Sequence, residues 1–308
     1  MSSTLTADRD TRPAPIKAVP VRHPGRWVAI AVIALLVAMA INSVVTNPNW
    51  AWQFQFQNAF AEPVVRGVWT TLWLTVASMV MGVLLGIVLA VMRLSPNPIL
   101  SGSAWFYIWV FRGTPVLVQL VIWANLGSLY RQISLGVPFG PEWFTIDTRN
   151  LIPNYAAALL GLGLNEAAYM SEIIRAGILS VDEGQTEAAS ALGMSRMLTL
   201  SRIVLPQAMR VVVPPTGNET ISMLKTTSLV SAVPYAELFF QTSSIGSRTF
   251  QVFPTLVMAS LWYLAMTSVL MIGQYYIERY YARGSSRTLP PTPLQRLRAR
   301  LARSGERR

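Results

Sequence analysis

The feature that most constrains this chain is a series of six apolar stretches, at residues 27–45, 68–92, 104–129, 152–174, 207–224 and 253–277. Each approaches the ~20 residues that a helix needs to cross the hydrocarbon core of a bilayer. Lipid offers no partner to a backbone N–H or C=O, so runs of this length must satisfy those groups internally, as helices. The expected fold is therefore all-α: a polytopic helical membrane protein of about six transmembrane helices. Composition agrees. Charged residues are 13% of the chain against 52% hydrophobic, whereas soluble domains carry about 25% charged residues.

The basic residues orient these spans. Five lie in the N-terminal tail (Arg9, Arg12, Lys17, Arg22 and Arg26), and nine arginines follow Ile277. With both tails in the cytoplasm, Arg93, Arg175, Arg196, Arg202 and Arg210 fall on the same side, leaving Arg66, Arg131, Arg149, Lys225 and Arg248 outside. That bias follows the positive-inside rule, so the expectation is a multi-pass inner (plasma) membrane protein with both termini cytoplasmic. The net charge of +11 is then mostly a topology signal. No nucleic-acid partner is expected, because the arginines flank apolar spans or lie in Pro- and Ser-rich tails. Those tails suit water or the anionic headgroups of the lipid bilayer.

The available chemistry is narrow. The chain has no cysteine, one histidine (His23) and two lysines, Lys17 and Lys225, neither of which follows a glycine. This excludes disulfides, thiolate nucleophiles, zinc sites and most histidine-based catalysis, and it leaves no Walker A loop to cradle ATP. No catalytic residue, metal ligand or cofactor is expected in this chain. A nucleotide that drives it has to be bound by a partner.

Between the fourth and fifth spans lies a polar segment, EAASALGMSRMLTLSRIVLP, at residues 187–206. Ser180 and Glu183 have the spacing of a capping box for a helix starting at Val181, and Gly193 is a natural stop for it. Ser195 can cap a second short helix, which Pro206 is expected to break. Two short helices joined at a glycine make a knob without chemistry of its own, which acts by docking. Its spacing of Glu187-Ala188-Ala189, Gly193 and the closing Ile203-Val204-Leu205-Pro206 matches the signature loop of bacterial ATP-driven importers. The chain resembles the membrane subunit of such an ABC importer.

Three segments narrow the resemblance to permeases of the polar amino acid uptake family: FRGTPVLVQL (111–120), AAYMSEIIRAGILSVDEGQTEAASALGMS (167–195) and TGNETISMLKTTSLVSAV (216–233). Hydropathy and charge give a cytoplasmic tail at 1–26, a transmembrane helix at 27–45, which the resemblance makes an extra N-terminal helix beside a five-helix permease core, and an external interfacial segment at 46–67. A permease domain at 68–277, with a coupling loop at 181–206, and a basic cytoplasmic tail at 278–308 complete the chain. Ala38-Met39-Ala40 also resembles a signal-peptide cleavage site, but such permeases often keep an uncleaved first helix. The implied function is passage of a polar amino acid by alternating access. The implied partners are two ABC ATPase subunits that bind ATP and Mg, a second permease copy or paralogue, and a soluble or lipid-anchored amino-acid-binding protein. Glu187, Ala188, Ala189, Leu192 and Gly193 would couple to the ATPases by filling a groove on each.

Substrate contacts are sought among polar groups within the apolar spans, where exposure to lipid is costly. Asn218 and Glu219 follow Pro214, Pro215 and Gly217, so the fifth span is expected to be irregular where it presents an amide and a carboxylate. Irregular backbone at that depth is tolerated beside a cavity, and the carboxylate suits an amino acid's ammonium. Asn165, Glu166 and Gln119 are further candidates for the path. Arg112 is expected to sit at a kink beside Gly113 and Pro115, paired with a carboxylate or carbonyls of another helix, and Glu172 to pair with Arg175. An alternative is an ion-coupled secondary transporter that uses Glu166, Glu172 and Glu219 as a relay, although no inverted repeat is evident. A membrane enzyme would need clustered acid, base or metal groups that the chain does not supply.

Overall fold

The computed structural model describes residues 24–129, 132–137, 140–147 and 152–281. The two basic tails, up to residue 23 and from residue 282, lie outside the described residues, as do Arg131 and Arg149. The chain divides into two units, one ending at Trp50 and the other beginning at Ala51. In the first, α1 (Pro24–Thr46) carries no charged residue after Arg26 and is followed by a 3-10 turn, Pro48–Trp50.

The second unit opens with the short α2 (Trp52–Asn58) and the long α3 (Glu62–Arg93). Next come α4 (Pro98–Gly113), α5 (Val116–Ala124) and the single turn α6 (Leu126–Leu129). An antiparallel hairpin of β1 (Gln132–Gly136) and β2 (Glu142–Asp147) leads into α7 (Asn154–Leu179). The polar segment forms α8 (Glu183–Ala191), α9 (Arg196–Thr199) and a π-helical turn, Leu200–Val204, which continues into α10 (Leu205–Thr226). A 3-10 turn (Thr227–Ala232), α11 (Leu238–Thr249) and α12 (Val252–Tyr281) complete the described chain.

Among the described residues, α1, α3 and α12 are long and apolar enough to cross a bilayer, and α4 with α5, bent by 100° between them, pass the same test only as a pair, as one broken span or a re-entrant loop. The 26 residues of α7 and 22 of α10 span about 39 and 33 Å at 1.5 Å per residue, long enough for the remaining two. Both are too polar to face lipid all round, carrying Glu166, Glu172 and Arg175 on α7 and Arg210, Glu219 and Lys225 on α10. Helices of that kind have to be covered by protein. Accordingly α7 packs along α3 and against α5, and α10 packs against α7 and α12.

Small residues bring the two central helices together. A Cβ on Gly82 of α3 would fall 2.5 Å from Cγ of Glu166, and one on Gly86 would fall 2.7 Å from Cβ of Met170. The glycines therefore let the α7 backbone lie directly on α3, as small residues do where membrane helices touch. Around this seam Leu74, Leu120, Leu162 and Met170 form one apolar cluster, and Val64, Leu224, Leu238 and Met258 form a second.

Three local expectations are corrected. The cap of α8 is Asp182, whose carboxylate accepts from Gly184 N–H at 2.9 Å, while the Ser180 hydroxyl donates back to the Gly177 carbonyl. Asp182 precedes the helix directly and reaches its amide with a short side chain, so it displaces the Ser180–Glu183 pair. Pro206 does not end a helix: the π-turn before it absorbs the change of pitch, and proline sits in the first turn of α10, where its missing N–H costs little. Likewise Pro214 and Pro215 lie inside a continuous α10. Beside the prolines, Gln274 of α12 donates to the Pro214 carbonyl at 2.8 Å, and Thr216 Oγ1 donates to the Val212 carbonyl at 2.8 Å.

Candidate functional site

The break between α4 and α5 organises the site. Thr114 and Pro115 leave the helical path, so carbonyls at the end of α4 lose their intrahelical donors. The Gln119 side chain replaces them, donating to the carbonyls of Phe111 and Thr114 at 3.0 and 3.1 Å and to Thr114 Oγ1 at 2.7 Å. Asn165 of α7 donates to the same Phe111 carbonyl at 2.8 Å and to Gln119 Oε1 at 3.3 Å. Gln119 is thus buried and consumed by the break. This corrects its reading as a path residue, for which the amide would have to stay free.

A cavity of about 490 Å³ opens beside the break, walled by Gly113, Thr114, Pro115 and Val116 on one side and by Asn165, Glu166, Tyr169 and Glu219 on the other. Glu166 is only 4% exposed, and its Oε1 has no hydrogen-bond partner among the described residues. Glu219 is half-buried and lines the same cavity. A second cavity of about 430 Å³ continues past Glu172, Arg175, Val211 and Pro215, and Arg112, Tyr169 and Glu219 belong to both. The two cavities together trace a polar corridor along α7 and α10.

Arg112 does not do what its kink position suggests. No described carboxylate lies within ion-pair distance; its guanidinium instead stacks over the Tyr169 ring, 5.1 Å from the centroid, and faces the corridor. Glu172 does pair with Arg175, at 2.7 Å. Asn218 parts from Glu219, because consecutive residues on a helix point about 100° apart. It lines a separate cavity between α10 and α12 with Ser222, Lys225 and Gln274. Ser222 and Met223 line the main cavity with Glu219.

The knob is exposed where docking needs it. Glu187, Ala188 and Gly193 face outward, Leu192 is 82% exposed and Met197 is 73% exposed. Ala189 is the exception, buried at 3% exposure on a helix that packs against the π-turn. It holds the knob together and is not on its surface. Gly193 takes φ 74°, the left-handed conformation that closes a helix and that glycine adopts without strain. Ser195 caps α9 by accepting from Leu198 N–H at 3.3 Å.

One polar group went unread in the sequence. Glu237 is fully buried and caps α11, accepting from Phe239 and Phe240 N–H at 2.8 and 2.6 Å and from the Tyr263 hydroxyl at 3.0 Å. Its place directly before an apolar-faced helix was the available signal.

A bundle of membrane helices around a polar corridor, with one crossing broken at the corridor and an exposed docking knob, defines a transport subunit. Residues 82–283 match the family described as binding-protein-dependent transport system inner membrane component, and the chain belongs to that family. It is 50% identical to the arginine transport system permease protein ArgU of Corynebacterium glutamicum, over 93% of this chain and 89% of the relative. It is 37% identical to the nopaline transport system permease protein NocM of Agrobacterium fabrum, over 61% of this chain and 77% of the relative. Among solved structures, the crystal structure of an amino acid ABC transporter with histidines aligns with a TM-score of 0.61 and 34% identity, covering 72% of this chain and 95% of that one. The chain is therefore a multi-pass inner-membrane permease subunit and no catalyst. It works with ATPase subunits, which carry the ATP hydrolysis, and with a binding protein.

Proposed function

We propose that this permease passes a polar amino acid with a cationic side chain, and that Glu166 and Glu219 receive its positive groups. The observation that carries this reading is the pair of carboxylates lining one cavity, one of them buried with an oxygen that has no partner among the described residues. A buried polar oxygen without a partner is costly, and a ligand cation offsets that cost. The arginine transport relative supports the choice of cargo. Asn165 contributes to the wall of the same cavity; Asn218 and Gln119 do not.

In this reading two copies of the permease, or the permease and a paralogue, stand between a soluble or lipid-anchored binding protein outside and two ATPases inside, which bind ATP and Mg. Both termini and the knob lie in the cytoplasm. Glu187, Ala188, Leu192 and Gly193 seat in a groove on each ATPase, with Ala189 supporting them from within. Closure of the ATPases around ATP then moves α7 and α10 through the knob, which is continuous with both in sequence.

The test is equilibrium binding of labelled L-arginine to the purified complex, for wild type, Glu219→Gln and Glu166→Gln. A charge-assisted hydrogen bond is worth roughly 1.5–3 kcal/mol, so each neutral variant should bind on the order of ten- to a hundredfold more weakly. Unchanged affinity together with a lower unfolding temperature would make both carboxylates structural and end this assignment.

A further inference from the structure

α10 joins the knob to the corridor, and its middle is built differently from its ends. Pro214 and Pro215 have no N–H to donate, so the carbonyls of Arg210 and Val211 lose the donors that a helix places four residues on. Gln274 of α12 does not replace them: it donates to the Pro214 carbonyl and to Glu278 Oε1, each at 2.8 Å. Two adjacent rungs are therefore missing from one helix, and prolines of this kind are where a helix bends.

The halves on either side of the prolines are held by different helices. Below them, at 205–213, α10 lies on α7: a Cβ on Gly177 would run into the Val212 side chain and fall 3.2 Å from the Ala208 carbonyl. Above them, at 216–226, α10 lies on α12. There a Cβ on Gly217 would run into the Gln274 amide, and Leu224 is buried in one cluster with Met258 and Met266. Gln274 is itself buried, with its amide seated on Gly217 and bonded to Pro214. Glycine is the residue that leaves room for that seat. The knob is continuous with the lower half through the π-turn Leu200–Val204, whereas Glu219, Ser222 and Met223, which line the main cavity, all belong to the upper half.

Resting on the reading of the knob as the ATPase contact, we infer that Pro214 and Pro215 form a joint in α10, at which the lower half moves with the knob while Gln274 anchors the upper half, with Glu219, to α12. Hinges concentrate a movement into a few residues that absorb the backbone change, and the packed segments on either side stay intact. Gln274 is then a positioning residue. It lies outside the main cavity, and it sets how far Glu219 follows the knob.

The experiment reads the two halves separately. The chain has no cysteine, so pairs of spin labels can be placed through cysteines at Met209 and Ser268, and at Lys225 and Ser268, all exposed positions. The purified permease–ATPase complex carries one labelled copy, and distances by electron paramagnetic resonance are compared without nucleotide and after trapping with ATP and vanadate. In the otherwise native chain the Met209–Ser268 distance should shift on trapping, and the Lys225–Ser268 distance should stay. Pro214→Ala combined with Pro215→Ala restores both donors and favours the helix, so the variant should fold at least as well while losing most of the Met209–Ser268 shift. Gln274→Leu keeps the bulk and removes both amide bonds, and the Lys225–Ser268 distance should then shift as well. A full Met209–Ser268 shift in the proline variant, or equal shifts of both pairs in the native chain, would put the bend elsewhere and end this inference while leaving the role of the knob intact. A still Lys225–Ser268 pair in Gln274→Leu would overturn the anchor. If neither pair shifts in the native chain although vanadate traps the nucleotide, the knob does not drive α10, and the joint fails with it.

Discussion

Replacing Gln119 by leucine tests how the broken crossing is held. Leucine has similar bulk and suits a side chain that is 6% exposed, so packing is largely kept and the change is chiefly one of hydrogen bonding. Of the three acceptors served by Gln119, the Phe111 carbonyl keeps its bond from Asn165, and Thr114 Oγ1 keeps its own donation to Val110. Only the Thr114 carbonyl is orphaned. A buried acceptor left unmade costs about 1–3 kcal/mol, but Thr114 is exposed at the cavity and membrane hydrogen bonds fall toward the low end of such ranges, so about 1 kcal/mol or less is expected. Asn165→Leu should cost less, since Phe111 retains Gln119. The double variant orphans Phe111 as well and should exceed the sum of the singles by about 0.5–1.5 kcal/mol. Thermal unfolding of the purified protein in detergent reads these differences, and L-arginine affinity of the Gln119→Leu protein should stay near wild type. Additive losses in the cycle would refute the shared-acceptor account, and a selective loss of affinity without loss of stability would return Gln119 to the substrate path.

Other consequences follow from the same geometry. Glu187→Lys and Gly193→Val should abolish uptake and ATPase co-purification while the protein still reaches the membrane; Gly193→Val forces a β-branched residue to positive φ, costing about 1–2 kcal/mol locally. Normal uptake by both would remove the coupling role of the knob. In this cysteine-free chain, Ser134→Cys should react with an impermeant thiol reagent in intact cells and Ser285→Cys, beyond the described residues, should not; labelling at Ser285 would overturn the orientation. Glu237→Ala strands two amides and a tyrosine hydroxyl and should destabilise the protein by about 2–4 kcal/mol. An unchanged unfolding midpoint would show that water or rearrangement replaces the carboxylate.

The long apolar runs and the loop motif carry much of this protein in the sequence itself. Spans expected at 207–224 and 253–277 are helices at Leu205–Thr226 and Val252–Tyr281, because hydropathy over 20 residues is a local property and lipid leaves the backbone no other regular solution. The Ser195 cap and the Gly193 stop were legible for the same reason, since both depend on neighbours within four residues. The site was not local in that sense. Asn218 and Glu219 are adjacent in the chain yet line different cavities, and Glu166 faces the corridor while Gln119 turns inward to its own helix break. Pro214 and Pro215 look like an interruption, yet α10 runs through them, with Gln274, 60 residues away, bonded to the Pro214 carbonyl. Ala189 belongs to the docking motif but is buried, on a helix that packs against the π-turn. Residue type alone could nominate polar groups for a path through the membrane. Which of them reach it was decided by the rotation of each helix about its axis and by the partner that tertiary packing set opposite.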